Sequence, residues 1–205
     1  MARTTDTRER VLQAALESFG GPGYEATSLD DVAAELGVSK QTILYYFPSK
    51  AALLDAVIDL SAAELAGALE DAVASSPPGW PRIEAVVRSV FRLALRRPEL
   101  LGLIREVTRL GPPAATRLTD DLEPLVVRAR GFLEAEMAAG HMRRSDPRLV
   151  LMSAYSTVIG VATEVEVLRA VGVEPGMKAM VRRRTELLDF LKSALVVPGS
   201  EPTST

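Results

Sequence analysis

Residues 27–50, TSLDDVAAELGVSKQTILYYFPSK, read as two short helices joined by a tight turn. In the first, Leu29, Val32, Ala33 and Leu36 recur at i, i+3, i+4 and i+7, the spacing of one buried face. Ser28 stands before it as an N-cap, and Asp30 and Asp31 occupy the first turn, where the helix dipole favours negative charge. Gly37 falls where that helix ends in a left-handed residue, a conformation that strains other side chains. Val38 plugs the turn, and Ser39 caps the second helix. From Lys40 onward only Ile43 and Phe47 need face inward, which leaves Lys40, Gln41, Leu44 and Tyr45 on the opposite side. Adjacent helical residues point about 100° apart, so Leu44, Tyr45 and Tyr46 cannot all be core. A generic helical hairpin with incidental exposed tyrosines is the plain alternative, since single exposed apolar residues are common. An outward face of lysine, glutamine, leucine and tyrosine is odd for a solvated helix and suits a helix laid in a DNA groove.

The spacings extend beyond this stretch. A first helix ends in Phe19, and Gly23-Tyr24 and Thr27 follow; then come the A-x-E-L-G-V-S run of residues 33–39, Thr42, Tyr46-Phe47-Pro48-Ser49-Lys50 and Ala52-Leu53-Leu54. With these, residues 8–60, about a quarter of the chain, resemble the N-terminal domain of TetR-family transcriptional regulators. The remainder is similar to that family only in helical layout and length. Leu44 stands where the family commonly has a tyrosine, and Gln41 where it often has glycine or proline. The resemblance implies an all-α chain with a three-helix DNA-binding domain over 1–50. It also implies a larger helical effector-binding and dimerisation domain over 51–197, and residues 198–205 read as a disordered tail. The expected DNA contacts are Thr27, Ser39, Lys40, Gln41, Thr42, Leu44, Tyr45, Tyr46 and Lys50. Lys40 and Gln41 lie nearest the base edges, Leu44 touches a thymine methyl or sugar, and Thr27, Tyr45, Tyr46 and Lys50 grip phosphates.

Composition bounds the rest. At 205 residues, 47% hydrophobic and 25% charged, the chain describes an ordinary globular protein with room for a sizeable core. Zero cysteines exclude disulfides and any thiolate ligand or nucleophile. The polar start MARTTDTRER has no apolar core of a signal peptide, and no run approaches the ~18 apolar residues of a membrane span, so a cytoplasmic location is expected. The net charge of −3 opposes DNA binding at first sight. What matters is charge on the contacting face, where Arg3, Arg8, Lys40 and Lys50 can reach phosphates.

Along the chain the reading is all-α, with roughly nine helices. A helix over 7–19 stops at Gly20-Gly21-Pro22-Gly23, and a long one over 50–74 stops at Ser75-Ser76-Pro77-Pro78-Gly79. Helices follow over 81–96, 99–110 and 114–139, the last with Pro124 as a kink position. Asp146-Pro147 starts the final pair, about 147–171 and 176–196. These two are either core helices of a monomer or a hairpin that meets its symmetry mate as a four-helix bundle. The resemblance tips the choice to a homodimer through Ser153, Thr157, Gly160, Val161, Glu164, Leu187, Leu188 and Leu191.

No catalytic or metal site emerges. His141 is the only histidine and reads as a loop residue; Glu164 and Glu166, two apart, do not share a helix face. Gly20-Gly21-Pro22-Gly23 follows a helix rather than a strand, so it is no phosphate loop, and no cofactor is expected. The apolar middle helices are plain core or, as the resemblance implies, enclose a cavity for an apolar or amphipathic effector. Its expected lining is Phe91, Leu95, Leu103, Ile104, Val107, Leu122 and Tyr155. Two functions follow. One is a ligand-responsive dimeric repressor on a palindromic double-stranded operator, with itself and an unidentified small molecule as partners and no membrane. The other is a helical interaction module whose helix-turn-helix no longer reads DNA.

Overall fold

The computed structural model describes residues 2–173 and 176–199, so the expected tail lies outside the described residues from 200 onward. Ten helices form among them: α1 (Ala2–Gly20), α2 (Leu29–Leu36), α3 (Lys40–Tyr46), α4 (Lys50–Ala74), α5 (Trp80–Arg96), α6 (Pro98–Leu110), α7 (Ala114–Ala138), α8 (Pro147–Thr163), α9 (Val165–Ala170) and α10 (Met177–Leu195). The all-α expectation holds, and no helix of the described residues is long and apolar enough to cross a membrane. The count of nine is corrected to ten. The helix expected over 147–171 breaks at Glu164, whose φ of −83° and ψ of 72° are not helical, and α9 begins after it. The first helix also starts earlier than residue 7, because polar residues continue a helix without an apolar stripe to announce it. Pro124 lies inside α7, as read.

The chain divides into two compact units. The first combines Met1–Ala66 with Arg96–Leu122, and the second combines Gly67–Leu95 with Glu123–Thr205. In the first, α6 packs along α1, α1 against α2, and α2 against α3. The core takes Val11, Leu12, Leu16 and Phe19 from α1, Leu29, Val32 and Ala33 from α2, and Ile43 with Phe47 around α3. Leu53, Leu54, Val57 and Ile58 of α4 and Leu100, Leu101, Leu103, Ile104 and Val107 of α6 complete it. Leu36, expected on the buried face of α2, is only half-buried.

Two glycines permit the α1–α6 crossing. A side chain on Gly20 would collide with the backbone carbonyl of Glu99, and one on Gly102 with the carbonyl of Gly20. The two backbones therefore touch, which any Cβ would prevent. Polar bonds then tie α6 to its neighbours. The Arg97 guanidinium donates to Gln13 of α1 at 3.1 Å, to Glu64 of α4 at 2.8 Å and to Glu99. The Glu106 carboxylate accepts the Tyr24 backbone N–H at 2.8 Å and both donors of Arg109. Farther on, Arg117 of α7 pairs bidentately with Asp59 of α4.

In the second unit, Leu133, Met137 and Met142 form a buried cluster with Ile83, Phe132, Val150 and Leu151 against it. The Ser89 hydroxyl donates to the Ala68 carbonyl at 3.0 Å, tying α5 to α4. The start of α8 and the end of α10 are clipped together, Arg143 N–H donating to Leu195 and Val197 N–H to His141. Because α8 leaves that clip and α10 arrives at it, the packed pair runs in opposite directions.

Replacing a helical glycine with alanine ordinarily stabilises by about 0.5–1 kcal/mol, and Gly131→Ala, with open space around it, should do so. Gly102→Ala should instead lower stability by roughly 1–3 kcal/mol, because the crossing must open. Thermal unfolding of the two variants checks the opposite signs. Glu106 supplies a pH dependence. Hydrogen bonds from Arg109 foremost, and from Tyr24 N–H, hold its carboxyl below its ordinary value of 4.5, against the opposing effect of burial. A depressed carboxyl contributes stability above its unfolded value and loses it as pH falls through the folded one. The stability gap between wild type and Glu106→Gln should thus be full above pH 4.5 and shrink below it in denaturant titrations across that range.

Candidate nucleic-acid interface

Local sequence sets each end of the two short helices. Ser28 accepts the Asp31 N–H at 3.1 Å while its own N–H donates to the Asp31 carboxylate at 2.8 Å, a reciprocal capping box that starts α2. Hydrogen bonds from the Ser28 hydroxyl and N–H hold the Asp31 carboxyl below its usual range. Gly37 takes φ 66°, ψ 32°, and the Val38 N–H returns to the Ala33 carbonyl at 3.0 Å, closing the helix and turning the chain. Ser39 then caps α3 by accepting the Thr42 N–H at 3.2 Å. These are the turn positions the sequence assigned to Ser28, Gly37 and Ser39.

On α3, Ile43 is fully buried and Phe47 nearly so. Lys40, Gln41 and Tyr45 are exposed, Tyr45 at 79%, while Thr42, Leu44 and Tyr46 are half-buried along the edges of that face. Tyr45 and Tyr46 meet edge to face with centroids 5.0 Å apart. The structure thus brings Ser39, Lys40, Gln41, Thr42, Leu44, Tyr45 and Tyr46 together on one seven-residue helix and its cap. Lys50 lies at the start of α4 with its ammonium 4.0 Å from the Tyr24 ring centroid, and Tyr24 packs edge-on against Phe19. Arg8 lies over the Phe47 ring at 5.3 Å. The side chain of Arg3 lies outside the described residues.

Thr27 is corrected. It is only 5% exposed, and its hydroxyl donates to the Gly23 carbonyl at 2.9 Å, with the Ser18 carbonyl at 3.2 Å. A hydroxyl enclosed this way fastens the α1–α2 loop rather than facing a phosphate. Asp30 was read only for the helix dipole, yet its carboxylate pairs with Lys40 at 2.7 Å. The Asp30 and Lys40 side chains are 66% and 47% exposed, and such a pair is worth about 0–1 kcal/mol. It can be exchanged for a phosphate or base edge at little cost.

The other expected sites divide. Leu103, Ile104 and Val107 are buried in the first unit, with Leu122 half-buried at its end. Phe91 is buried in the second unit, where Leu95 and Tyr155 are 41% and 44% exposed. On the expected dimer face, Ser153 is exposed, Thr157, Val161 and Glu164 are half-buried, and a side chain added at Gly160 would meet nothing within 4 Å. Leu187, Leu188 and Leu191, expected on the same face, are buried within the protomer at 5–6% exposure. The apolar residues left open on this helix pair are Leu149, Met152, Tyr155, Val181 and Phe190. His141 sits beside Glu136 with Nδ1 3.0 Å from the carboxylate, and no metal-sized cluster of His, Asp and Glu occurs among the described residues. Glu166's side chain lies outside them.

Comparison with known proteins agrees with this geometry. A family model for bacterial regulatory proteins of the tetR family matches residues 11–57, from the middle of α1 into α4. The HTH-type transcriptional regulator RutR of Escherichia coli K12 is 28% identical over 155 residues, covering 73% of this chain and 71% of RutR. A Rhodococcus sp. RHA1 protein of unknown function superposes with a TM-score of 0.72 at 26% identity, covering 93% of this chain and 95% of that one. A putative transcriptional regulator from Saccharomonospora viridis, solved in complex with choline, superposes at 0.75 with 19% identity, covering 94% and 99%. A capped, glycine-turned helix pair with its polar and aromatic face outward, in an all-helical chain matched on both counts, belongs to a TetR-family DNA-binding transcriptional regulator and not to an enzyme.

Proposed function

We propose that this regulator works as a homodimer on a palindromic double-stranded operator, that it represses there, and that a small effector held by the C-terminal helices releases it. The observation that carries the DNA-reading part is the outward face of α3. Ile43 and Phe47 anchor the helix, and Lys40, Gln41, Leu44 and Tyr45 are left to meet a groove. Lysine donates to guanine O6 and N7, glutamine pairs with adenine N6 and N7, and the leucine and tyrosine fit thymine methyls, sugars and phosphates. Seven residues span about two turns and read only a few base pairs, so useful specificity needs two copies.

The outer face of the α8–α10 pair supports the dimer. Leu149, Met152, Ser153 and Ser156 recur at i, i+3, i+4 and i+7 on α8, all exposed, and Gly160 continues the line. Phe190 on α10 is 59% exposed. Apolar side chains this open on small-residue helices suit burial against a two-fold mate, with the glycine and serines allowing close approach. The effector part rests on the family and on the S. viridis relative solved with choline, which shows a small ligand on a similar fold. By linkage, an effector that weakens DNA binding binds the operator complex less tightly by the same factor, typically about 1–3 kcal/mol.

Selection of bound sequences from a random duplex pool should return a two-fold repeat with half-site centres one DNA turn, ~34–36 Å, or a multiple of it apart. Gln41→Ala should relax the preference at one base position per half-site, at a cost of about 1–3 kcal/mol. Lys50→Ala should weaken all sequences alike and reduce the salt slope by about 1. An unselective pool would overturn the operator reading, and an unchanged preference in Gln41→Ala would remove that residue from base contact. For the dimer, Met152→Arg should cost roughly 2 kcal/mol or more, about thirtyfold in the association constant. Sedimentation at micromolar concentration should find the wild type dimeric and this variant shifted to monomer; a monomeric wild type would contradict the assembly.

A further inference from the structure

Arg183 projects from the inward face of α10, where Leu187, Leu188 and Leu191 are also buried and where α8, packed against it, buries Val158 and Ala162. Its side chain is only 7% exposed. Its Nε and Nη1 are shut from solvent without any acceptor. Those two nitrogens lie on different edges of the guanidinium, so its hydrogen-bonding capacity is unmet on two sides. Burial draws its pKa down and no neighbouring charge acts in the other direction. A guanidinium nevertheless stays protonated at neutral pH, so the charge is not escaped by titration.

This is an expensive arrangement. An unpaired buried charge destabilises strongly, and aliphatic residues of similar volume in the same place are often neutral or better. The cation is also not alone in lacking acceptors. In the same unit, Nε of Arg184, the next residue, and Nε of Arg82 are buried without partners, the Arg82 guanidinium lying 5.5 Å from the Phe132 ring centroid. Carboxylates of the unit are engaged elsewhere: Glu186 with Arg182, Glu134 with Arg130, Glu70 with Arg128, Glu84 with Arg88 and Asp146 with Arg148, while Glu136 lies beside His141.

We propose that Arg183 is the anion receptor of the effector site, taking the carboxylate of an amphipathic organic acid whose apolar body lies against the aliphatic side chains around it. The inference rests on the ligand-responsive reading above and names the chemical class of that ligand. One buried cation balances one negative charge, which a carboxylate supplies. A phosphate monoester, at about −1.5 to −2, would leave uncompensated charge behind. A cationic ligand would meet a like charge in a medium that screens it poorly.

The test uses the full chain, without DNA, and matched probes at constant ionic strength: octanoate, octan-1-ol and octyltrimethylammonium, with phenylacetate and 2-phenylethanol as a second pair. Calorimetric titration should find the acid of at least one pair bound about tenfold or more tightly than its alcohol, and the ammonium compound not at all. Arg183→Met should bring that ratio close to one, and Arg183→Lys should restore part of it. Arg182→Met, one residue along and exposed, should leave it unchanged. Without ligand, Arg183→Met should melt at or above the wild-type temperature, since it removes a buried charge that has no partner. If that variant fails to fold, Arg183→Gln reads the same ratio. Equal binding of acids and alcohols by the wild type, or an acid preference that survives in Arg183→Met, would overturn the proposal. So would dissociation of the dimer in that variant, which would place the arginine at the subunit contact. A failed operator selection would sink the regulatory reading and leave this titration intact, so the two can fail separately.

Discussion

Gly20 and Gly102 cross with their backbones in contact, and the first unit is organised around that approach. With α6 pressed on α1, its later turns come level with the loop that leads into α2. Glu106 can then accept the Tyr24 N–H, and Arg97 can reach α1 and α4 at once. Tyr24, held through its backbone by Glu106 and through its ring by Phe19, offers its face to the Lys50 ammonium. Thr27 fastens the same loop from within. The position of the helix-turn-helix is therefore set by groups outside α3, and α3, only seven residues long, relies on this frame for its orientation.

Charge is arranged for selectivity more than for grip. The chain is net negative by 3, and a helix start rich in aspartate sits beside the reading helix. Asp30 holds Lys40 at 2.7 Å in the DNA-free state. On the proposed reading a phosphate or a guanine edge would replace that carboxylate, at the small cost of an exposed pair. Few cations on the face mean little counterion release and weak sequence-independent binding. On the proposed reading such a protein would depend on base contacts and on doubling the site, which accords with a short α3 and the exposed apolar residues of α8 and α10.

The helix-turn-helix was legible because its signals are local. A capping serine, a left-handed glycine and a four-residue apolar period each act within one turn, and all three appear where the residues put them. What was not legible depends on elements distant in sequence. Nothing near Gly102 says that another backbone will press on it, since an isolated glycine in a helix reads as a mild defect. Thr27 reads as a loop hydroxyl until the loop closes and its oxygen is enclosed between two carbonyls. The split of α8 from α9 turns on one residue, Glu164, within residues 161–167, which hold no proline or glycine to mark it. Periodicity placed Leu187, Leu188 and Leu191 on one buried stripe, correctly, but could not say whether that stripe closes on its own protomer or on a second copy.

That last ambiguity has a physical root. A helix that must satisfy its own core and a partner carries apolar residues on two faces, and the stripe that stands out in the sequence is the one the protomer already buries. On α10 the inner face holds Leu187, Leu188 and Leu191 while Phe190 and Val181 stay outside. On α8 the inner residues are Val158 and Ala162 while Leu149 and Met152 stay outside. Arg183 breaks the pattern, a permanent cation among inward aliphatic groups. Core packing alone favours leucine or methionine there, because two of the guanidinium nitrogens are buried without an acceptor. A residue that costs stability in the empty protein is understandable if it acts in another state, and the proposed anion-bound state is one in which this charge would find its partner.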